Sequence, residues 1–105
     1  MRFMRVMVFF DLPTKEKEDK HQYITFRNRL LRDGFDMLQY SVYTRLCGNY
    51  DAVDKFVERV RKYAPSGGSI RVMTVTNRQF ADMAILAGKK TNNEKHITCQ
   101  SLTLF

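Results

Sequence analysis

The feature that most constrains this chain is an apolar run that stops abruptly at an acid and a proline, Arg5-Val6-Met7-Val8-Phe9-Phe10-Asp11-Leu12-Pro13. Val and Phe suit a pleated, half-buried surface, whereas Asp and Pro continue strands poorly, so the run predicts a buried strand with Asp11 at its end. A carboxylate on a strand end is held more firmly for a ligand than one on a mobile loop. Asp11 is therefore the first candidate for chemistry, and an Asp that simply starts a turn is the alternative.

The balance of charge points to a polyanionic partner. Lys and Arg number 18 against 11 Asp and Glu, which gives a formal net charge of +7 over 105 residues. Such an excess favours nucleic acid, DNA or RNA. A membrane surface ranks lower because no basic helix has the exposed Trp, Phe and Leu face that inserts into an interface.

The cysteines and the N-terminus predict a cytoplasmic protein that does not enter membranes. Cys47 and Cys99 form neither a disulfide framework nor a zinc-site spacing. The N-terminal residues run directly into the predicted strand, without the separate apolar core and cleavage site of a signal peptide. No apolar run approaches the ~20 residues of a membrane span.

Helical spacing of apolar residues predicts two helices. The first covers roughly 15–33, with Thr14 as its N-cap and Gly34 as a left-handed C-terminal cap. The second is capped by Asn49 or Asp51 and has a stripe of Val and Phe as its buried side.

The remaining segments are strand-like or irregular. Alternation over 37–46 predicts one long strand or two joined by a bend, with at least one of Tyr40 and Tyr43 in the core, and 70–76 predicts another strand. The segment 77–88 fits a short helix or a strand, and this choice stays open. Polar residues over 89–96 predict a loop, and 97–105 is a last strand-like run.

This order of elements predicts an α+β fold, a ferredoxin-like βαββαβ sandwich with two helices on one face of an antiparallel sheet. The whole chain, 1–105, is then a single domain with residues 1–88 as its core. Two strands are apolar on both sides, as shown by Phe9 beside Phe10 and Val72 beside Met73, so the second face of the sheet also needs a cover. A homodimer packed sheet to sheet would bury it.

Most enzyme classes have no signature in this sequence, which lacks a phosphate-binding glycine loop, an HExxH motif, a nucleophile elbow and a dense acid cluster. Solvation explains His21 and His96, on a polar helix face and in a loop. Capping and solvation explain the acids at helix ends and on helix surfaces, which are Asp33, Asp36, Asp51, Asp54 and Glu58.

A metal site at Asp11 requires a second carboxylate or a substrate. Mg²⁺ usually takes one or two carboxylates together with water and phosphate oxygens. In a two-fold dimer whose first strands lie near the axis, two copies of Asp11 would face each other and share one metal that orients water against a phosphodiester.

Four segments form one ordered pattern along nearly the whole chain: the strand followed by Asp-Leu-Pro-Thr at 6–14, Phe-Arg-Asn-Arg-Leu-Leu-Arg-Asp-Gly-Phe at 26–35, Gln-Tyr-Ser-Val-Tyr at 39–43, and Thr-Val-Thr-Asn-Arg-Gln-Phe at 74–80. This pattern resembles the CRISPR-associated Cas2 adaptation proteins, with members from single-effector (type II) systems the most similar. The order, spacing and total length carry the resemblance, since each motif alone is weak.

The resemblance implies a ferredoxin-like homodimer in which the C-terminal strand, 97–105 here, extends the partner's sheet. It also implies a role in spacer acquisition, in which the dimer bridges CRISPR integrase dimers and binds duplex DNA on a basic surface. Many members are described as Mg²⁺-dependent nucleases whose metal is held by the strand-end acid, which matches Asp11. Phe10 replaces a Tyr of many members, and Met37 replaces a base of some, and both differences weaken the nuclease hypothesis.

Five basic residues are the candidates for phosphate contacts, chosen for charge and placement: Lys15, Lys17, Lys20, Arg27 and Arg78. The leading hypothesis is a DNA-binding adaptation scaffold, and the alternative is a Mg²⁺-dependent endonuclease that uses Asp11 of both subunits as metal ligand and catalytic residue. An RNA-recognition module of similar topology is disfavoured because 70–76 contains no aromatic residue for stacking. The excess of base argues against a domain that binds a small metabolite.

Overall fold

The computed structural model of the protein describes residues 3–88. In chain order its elements are β1 Met4–Asp11, α1 Lys17–Arg32, β2 Asp36–Gln39, β3 Val42–Cys47, α2 Tyr50–Tyr63, β4 Ser69–Thr76 and α3 Asn77–Ala81. The predicted loop 89–96 and the predicted last strand 97–105 lie outside the described residues. No helix within residues 3–88 is long and apolar enough to cross a membrane.

The four strands form one antiparallel sheet in the order β2-β3-β1-β4. β1 is an interior strand that pairs with β3 over Met4–Phe9 and with β4 over its whole length, from Met4 opposite Thr76 to Asp11 opposite Ser69. This order, together with α1 and α2 on one face, confirms the predicted ferredoxin-like fold.

The core lies between the sheet and α1 and α2. Because side chains alternate along a strand, the even-numbered residues of β1 from Met4 to Phe10 face the helices. Phe26 and Leu30 of α1 and Val53, Phe56 and Val60 of α2 pack against them. The centre of the Phe10 ring lies 5.1–5.8 Å from the ring centres of Tyr23, Phe26 and Tyr43.

The start of α1 differs from the prediction. Its N-cap is Glu16, whose backbone N–H donates to a carboxylate oxygen of Asp19 at 3.2 Å, so Thr14 is not the cap and the helix begins two residues later than expected. The prediction for the other end is confirmed. Gly34 has φ +87, and the N–H groups of Gly34 and Phe35 donate to the carbonyls of Leu31 and Leu30, which closes the helix.

Two open questions of the sequence are settled by the turns. Residues 37–46 form two strands, β2 and β3, joined at Tyr40-Ser41, and Ser41 has φ 64. Residues 77–81 form the short helix α3. Its first turn is capped by Thr76, whose hydroxyl accepts from the Gln79 backbone N–H at 3.0 Å while the Gln79 side chain accepts from the Thr76 N–H at 2.9 Å.

The second face of the sheet, here called the outer face, carries the odd-numbered residues of β1, Arg5, Met7, Phe9 and Asp11. The chain itself covers part of it, since Arg5 stacks on Phe80 of α3 at 4.6 Å and residues 83–88 pass over Met7 and Phe9. Several apolar side chains on this side remain exposed, namely Leu46, Met73, Met83, Ile85 and Leu86.

Candidate metal and phosphate site

Asp11 is the last residue of the interior strand β1, and its side chain is exposed on the outer face. It borders a shallow depression of about 260 Å³ that is also lined by Phe9, Ser41, Ser69 and Arg71. Within residues 3–88 the Asp11 side chain makes no hydrogen bond or ion pair. Within this part of the chain the carboxylate is therefore available to a ligand.

The backbone at Asp11 is held by its neighbours in the sheet. The N–H of Phe10 donates to the Ser41 carbonyl at 3.0 Å, which joins the end of β1 to the β2–β3 turn. On the other side, Gly68 approaches so closely that a Cβ on it would lie 2.5 Å from the Asp11 carbonyl oxygen. Contacts from both sides hold the backbone from which the Asp11 side chain projects.

One chain supplies one carboxylate to this site. The described residues contain no group of three or more His, Cys, Asp or Glu side chains that could hold a metal ion. Mg²⁺ is commonly held by one or two carboxylates, with waters and phosphate oxygens completing the shell, so Asp11 fits such an ion as a partial ligand set. A second copy of Asp11, or the phosphate of a substrate, would have to complete it.

Three of the five basic candidates lie on α1, and a fourth lies in the loop before it. Lys15 precedes α1, Lys17 and Lys20 lie in its first turns, and all three are exposed, whereas Arg27 is half-buried further along the helix. Since α1 packs on the inner face of the sheet, Lys17, Lys20 and Arg27 lie on the other side of the sheet from the depression. Along the chain, Lys15 and Lys17 follow the end of β1 that carries Asp11 by four and six residues.

Arg78, the fifth candidate, lies at the opposite end of the sheet. It follows Thr76, which pairs with Met4 at the start of β1, while Asp11 pairs with Ser69 at the other end. The seven steps between Met4 and Asp11, at roughly 3.3 Å each, separate the two ends of the strand by about 23 Å. The structure therefore does not bring Arg78 together with Asp11 on one chain.

Arg71 was not among the predicted site residues, yet it lies on the same face as Asp11 and is exposed. The pairing of Asp11 with Ser69 and of Phe9 with Arg71 places all four residues on the outer face. Alternation in the sequence separates Arg71 from Val72, but it does not show which of them shares a face with Asp11, because that depends on strand register.

The interpretation of Asp33 as a solvated acid at a helix end is wrong. Its carboxylate is buried and accepts hydrogen bonds from the Arg59 guanidinium at 2.7 and 2.9 Å and from the Tyr63 hydroxyl at 3.1 Å. The hydrogen bond from Arg59 is the main reason that the pKa of Asp33 lies below its usual value, against the opposing effect of burial. Burial, followed by the charge of Asp33, raises the pKa of Tyr63.

Arg45 is also committed to the structure rather than to a ligand. Its Nε donates to the Asp33 carbonyl oxygen at 2.7 Å, and its guanidinium lies 3.7 Å from the centre of the Phe56 ring. Together with the Arg59–Asp33 pair, this contact ties the end of α1 to β3 and α2. The cluster is an anchor of the fold, remote in sequence from Asp11.

The two positions at which the sequence departs from the resemblance differ in their surroundings. The Phe10 ring packs in the core against Phe26 and Tyr43, so an exchange of Phe for Tyr at this position acts mainly on core packing. Met37 lies on β2 and is 43% exposed.

The expectation that at least one of Tyr40 and Tyr43 belongs to the core is confirmed by Tyr43, which is fully buried.

Comparison with known proteins gives consistent matches. A sequence model of the family described as CRISPR associated protein Cas2 matches residues 4–83. A protein of Acidovorax ebreus named CRISPR-associated endoribonuclease Cas2 is 46% identical over 102 residues, which cover 97% of this chain and 100% of that protein. Proteins of the same name from Campylobacter jejuni, 40% identical over 99% of this chain and 73% of the relative, and Ligilactobacillus salivarius, 36% identical over 96% and 100%, also match.

A solved structure supports the fold independently of close sequence similarity. A crystal structure described as that of Cas2 superposes with a TM-score of 0.57 at 16% identity, and covers 86% of this chain and 92% of the other. At this level of identity the likeness concerns the arrangement of strands and helices alone.

Proposed function

The chain belongs to the CRISPR-associated protein Cas2 family, and from this premise we propose that it works in the cytoplasm as a CRISPR adaptation protein. In this role a basic homodimer binds duplex DNA and bridges CRISPR integrase dimers during spacer acquisition. The observation that carries the proposal is the outer face of the sheet, which leaves apolar side chains exposed in a strongly basic chain.

The exposed part of the outer face supports a sheet-to-sheet dimer. Leu46, Met73 and Ile85 are each between 37% and 48% exposed, and Leu86 is 96% exposed, so water contacts a sizeable apolar surface in the single chain. A two-fold partner would cover this surface with the same residues of a second copy.

The edge of β4 supports the exchange of a strand between subunits. In the described part of the chain, β4 pairs with β1 alone and leaves its other edge open. An open edge accepts an added strand through backbone hydrogen bonds. Residues 97–105 of the partner are the strand that we propose for this edge.

The second candidate function is a Mg²⁺-dependent endonuclease that cleaves RNA or DNA. It is favoured by the exposed carboxylate of Asp11 at the end of β1 and by the name of the relatives, endoribonuclease. A bound Mg²⁺ would supply an activated water and stabilise charge on the phosphate. The protein's own part is to hold the ion, with Asp11 from each subunit.

One experiment separates the two functions. The purified protein is incubated with single-stranded RNA and with duplex DNA, with and without Mg²⁺, beside Asp11→Ala and beside Asp54→Ala, which removes an exposed acid of α2 as a matched control. Duplex binding of all three proteins is measured by fluorescence anisotropy over a range of salt concentrations.

We expect all three proteins to bind duplex DNA with a steep salt dependence and little sequence preference, because Lys and Arg on a helix surface contact phosphates rather than base edges. Cleavage that Asp11→Ala loses and Asp54→Ala keeps would establish the endonuclease. Cleavage that persists without Asp11 would refute it. Binding that does not respond to salt would contradict the DNA-binding scaffold.

A further inference from the structure

The depression beside Asp11 contains one negative and one positive side chain, Asp11 and Arg71. A carboxylate repels a phosphodiester, so positive charge on the same side of the sheet, from a bound metal or from a basic side chain, favours the approach of a nucleic acid to Asp11. The lysines at the start of α1 lie in the helix layer, and Arg78 lies at the far end of the sheet. Among residues 3–88, Arg71 is the basic residue that lines the depression.

Strand register sets the spacing between Arg71 and Asp11. Asp11 lies opposite Ser69, and Arg71 is two residues further along β4, so the two side chains are diagonal neighbours on one face. Diagonal neighbours in an antiparallel pair are roughly 7–8 Å apart, which is within the reach of an arginine side chain. A single phosphate group between them can therefore contact the guanidinium and a metal on Asp11 at the same time.

Arg71 also has no competing contact in the part of the chain that the structure describes. Other arginines of the described chain are held by partners, for example Arg5 by Phe80, Arg45 by the Asp33 carbonyl and Arg59 by the Asp33 carboxylate. In contrast, within residues 3–88 the exposed Arg71 side chain makes no hydrogen bond, ion pair or ring contact. Its planar group of N–H donors matches two phosphate oxygens and is uncommitted.

We propose that Arg71 binds a phosphodiester group of the nucleic acid in the Asp11 depression, next to the position of the metal. The inference rests on the proposed function and deepens it, since it names the residue that holds the phosphate at the sheet. Two N–H groups of Arg71 donate to the non-bridging oxygens of that phosphate, and their charge offsets the repulsion from Asp11.

The test compares four proteins as intact chains: wild type, Arg71→Gln, Arg71→Lys and Lys62→Gln. Lys62 is an exposed base of α2 outside every proposed contact and serves as the matched control for loss of one charge. Binding of a fluorescein-labelled DNA duplex is measured in Mg²⁺ at several salt concentrations. Sedimentation at the same protein concentrations reports the oligomeric state, and Asp11→Ala is measured alone and combined with Arg71→Gln.

We expect Arg71→Gln to weaken binding and to reduce the slope of log K against log salt by about 0.9 for each phosphate that is no longer neutralised. Arg71→Lys keeps the charge, so it keeps most of the slope, and Lys62→Gln matches wild type. Because Arg71 and a metal on Asp11 contact the same phosphate, the effects of Asp11→Ala and Arg71→Gln should not add.

The outcomes that overturn the inference are distinct from those that overturn the function. If wild type binds the duplex and Arg71→Gln binds it equally well with the same slope, or if the two substitutions add, Arg71 does not hold this phosphate. If Arg71→Gln dissociates the oligomer, Arg71 is an interface residue and the inference fails. If wild type itself shows no binding that responds to salt, the proposed function fails first.

Discussion

A single methyl group at Gly68 tests the geometry of the Asp11 site. Gly68 has φ +81, and an added Cβ would lie 2.5 Å from the Asp11 carbonyl oxygen and 2.8 Å from a methyl carbon of Leu12. The left-handed backbone costs an L-residue about 1–2 kcal/mol, and overpacking typically costs about 1–3 kcal/mol. We expect Gly68→Ala to lower the free energy of unfolding by about 2–5 kcal/mol, the sum of the two.

The neighbouring residue provides a matched control. A Cβ on Gly67 would meet nothing within 4 Å, and its φ lies outside the left-handed region. Replacing a glycine at such a position restricts the unfolded chain, so Gly67→Ala should be neutral or stabilising by up to about 1 kcal/mol. The two variants have the same composition and differ by one position.

The assay is thermal unfolding at one fixed protein concentration, because self-association would make Tm depend on concentration. In a domain of this size, 1 kcal/mol shifts Tm by roughly 4–8 °C. Gly68→Ala should therefore unfold at least about 8 °C below wild type, while Gly67→Ala stays at or above it. If both variants unfold at the wild-type temperature, the close approach of Gly68 to the end of β1 is wrong.

Two further substitutions test the contacts that hold the helices. Asp33→Asn should lower the free energy of unfolding at neutral pH by about 1–2 kcal/mol, since half of Arg59 is exposed and screened by water. The pKa of Asp33 is lower in the folded protein than in the unfolded chain, so this stabilisation is present above the unfolded pKa and is lost as the pH falls through the folded pKa. Urea titrations at several pH values should therefore show that the difference in stability between wild type and Asp33→Asn shrinks in acid. A difference that stays constant with pH would contradict this reasoning. Asn49→Ala removes the side chain that accepts from the Ala52 N–H at 2.8 Å, and should cost about 1 kcal/mol in the same titration, whereas an unchanged midpoint would show that this cap contributes nothing.

Short-range patterns predicted most of the fold because their causes are local. The apolar run that ends at Asp11 forms β1, Gly34 adopts a left-handed conformation, and Asn49 caps α2. Each of these outcomes depends on a few neighbouring residues and on one period of burial.

The turns were harder to predict. Alternation continues across Tyr40-Ser41, and no glycine marks the turn, so the break between β2 and β3 leaves no clear signal although Ser41 has φ 64. The start of α3 did carry a signal, since Thr76 and Gln79 form the Thr-x-x-Gln pattern of a capping box. This signal is hard to see in the sequence because β4 ends at Thr76, the capping residue itself, with no loop before α3.

The site residues also differ in how far the sequence predicts them. Asp11 follows from the strand that ends at it, whereas Arg71 depends on the register between β1 and β4, which are about 60 residues apart in the sequence. The Arg59–Asp33 pair likewise joins residues 26 positions apart, one on α2 and the other at the C-terminal end of α1. Long-range packing of this kind has no period that a single sequence displays.

The interior position of β1 has a consequence for the exchange of amide hydrogens with solvent. Strands bonded on both sides open last, commonly only when the whole domain unfolds, whereas edge strands open more often by local fluctuation. Asp11 is thus attached to a strand that is bonded on both sides, whereas Arg71 belongs to β4, which within residues 3–88 is bonded on one side only and opens more readily unless a partner's strand pairs with it. A ligand held between them would protect the amides of β4 more than those of β1.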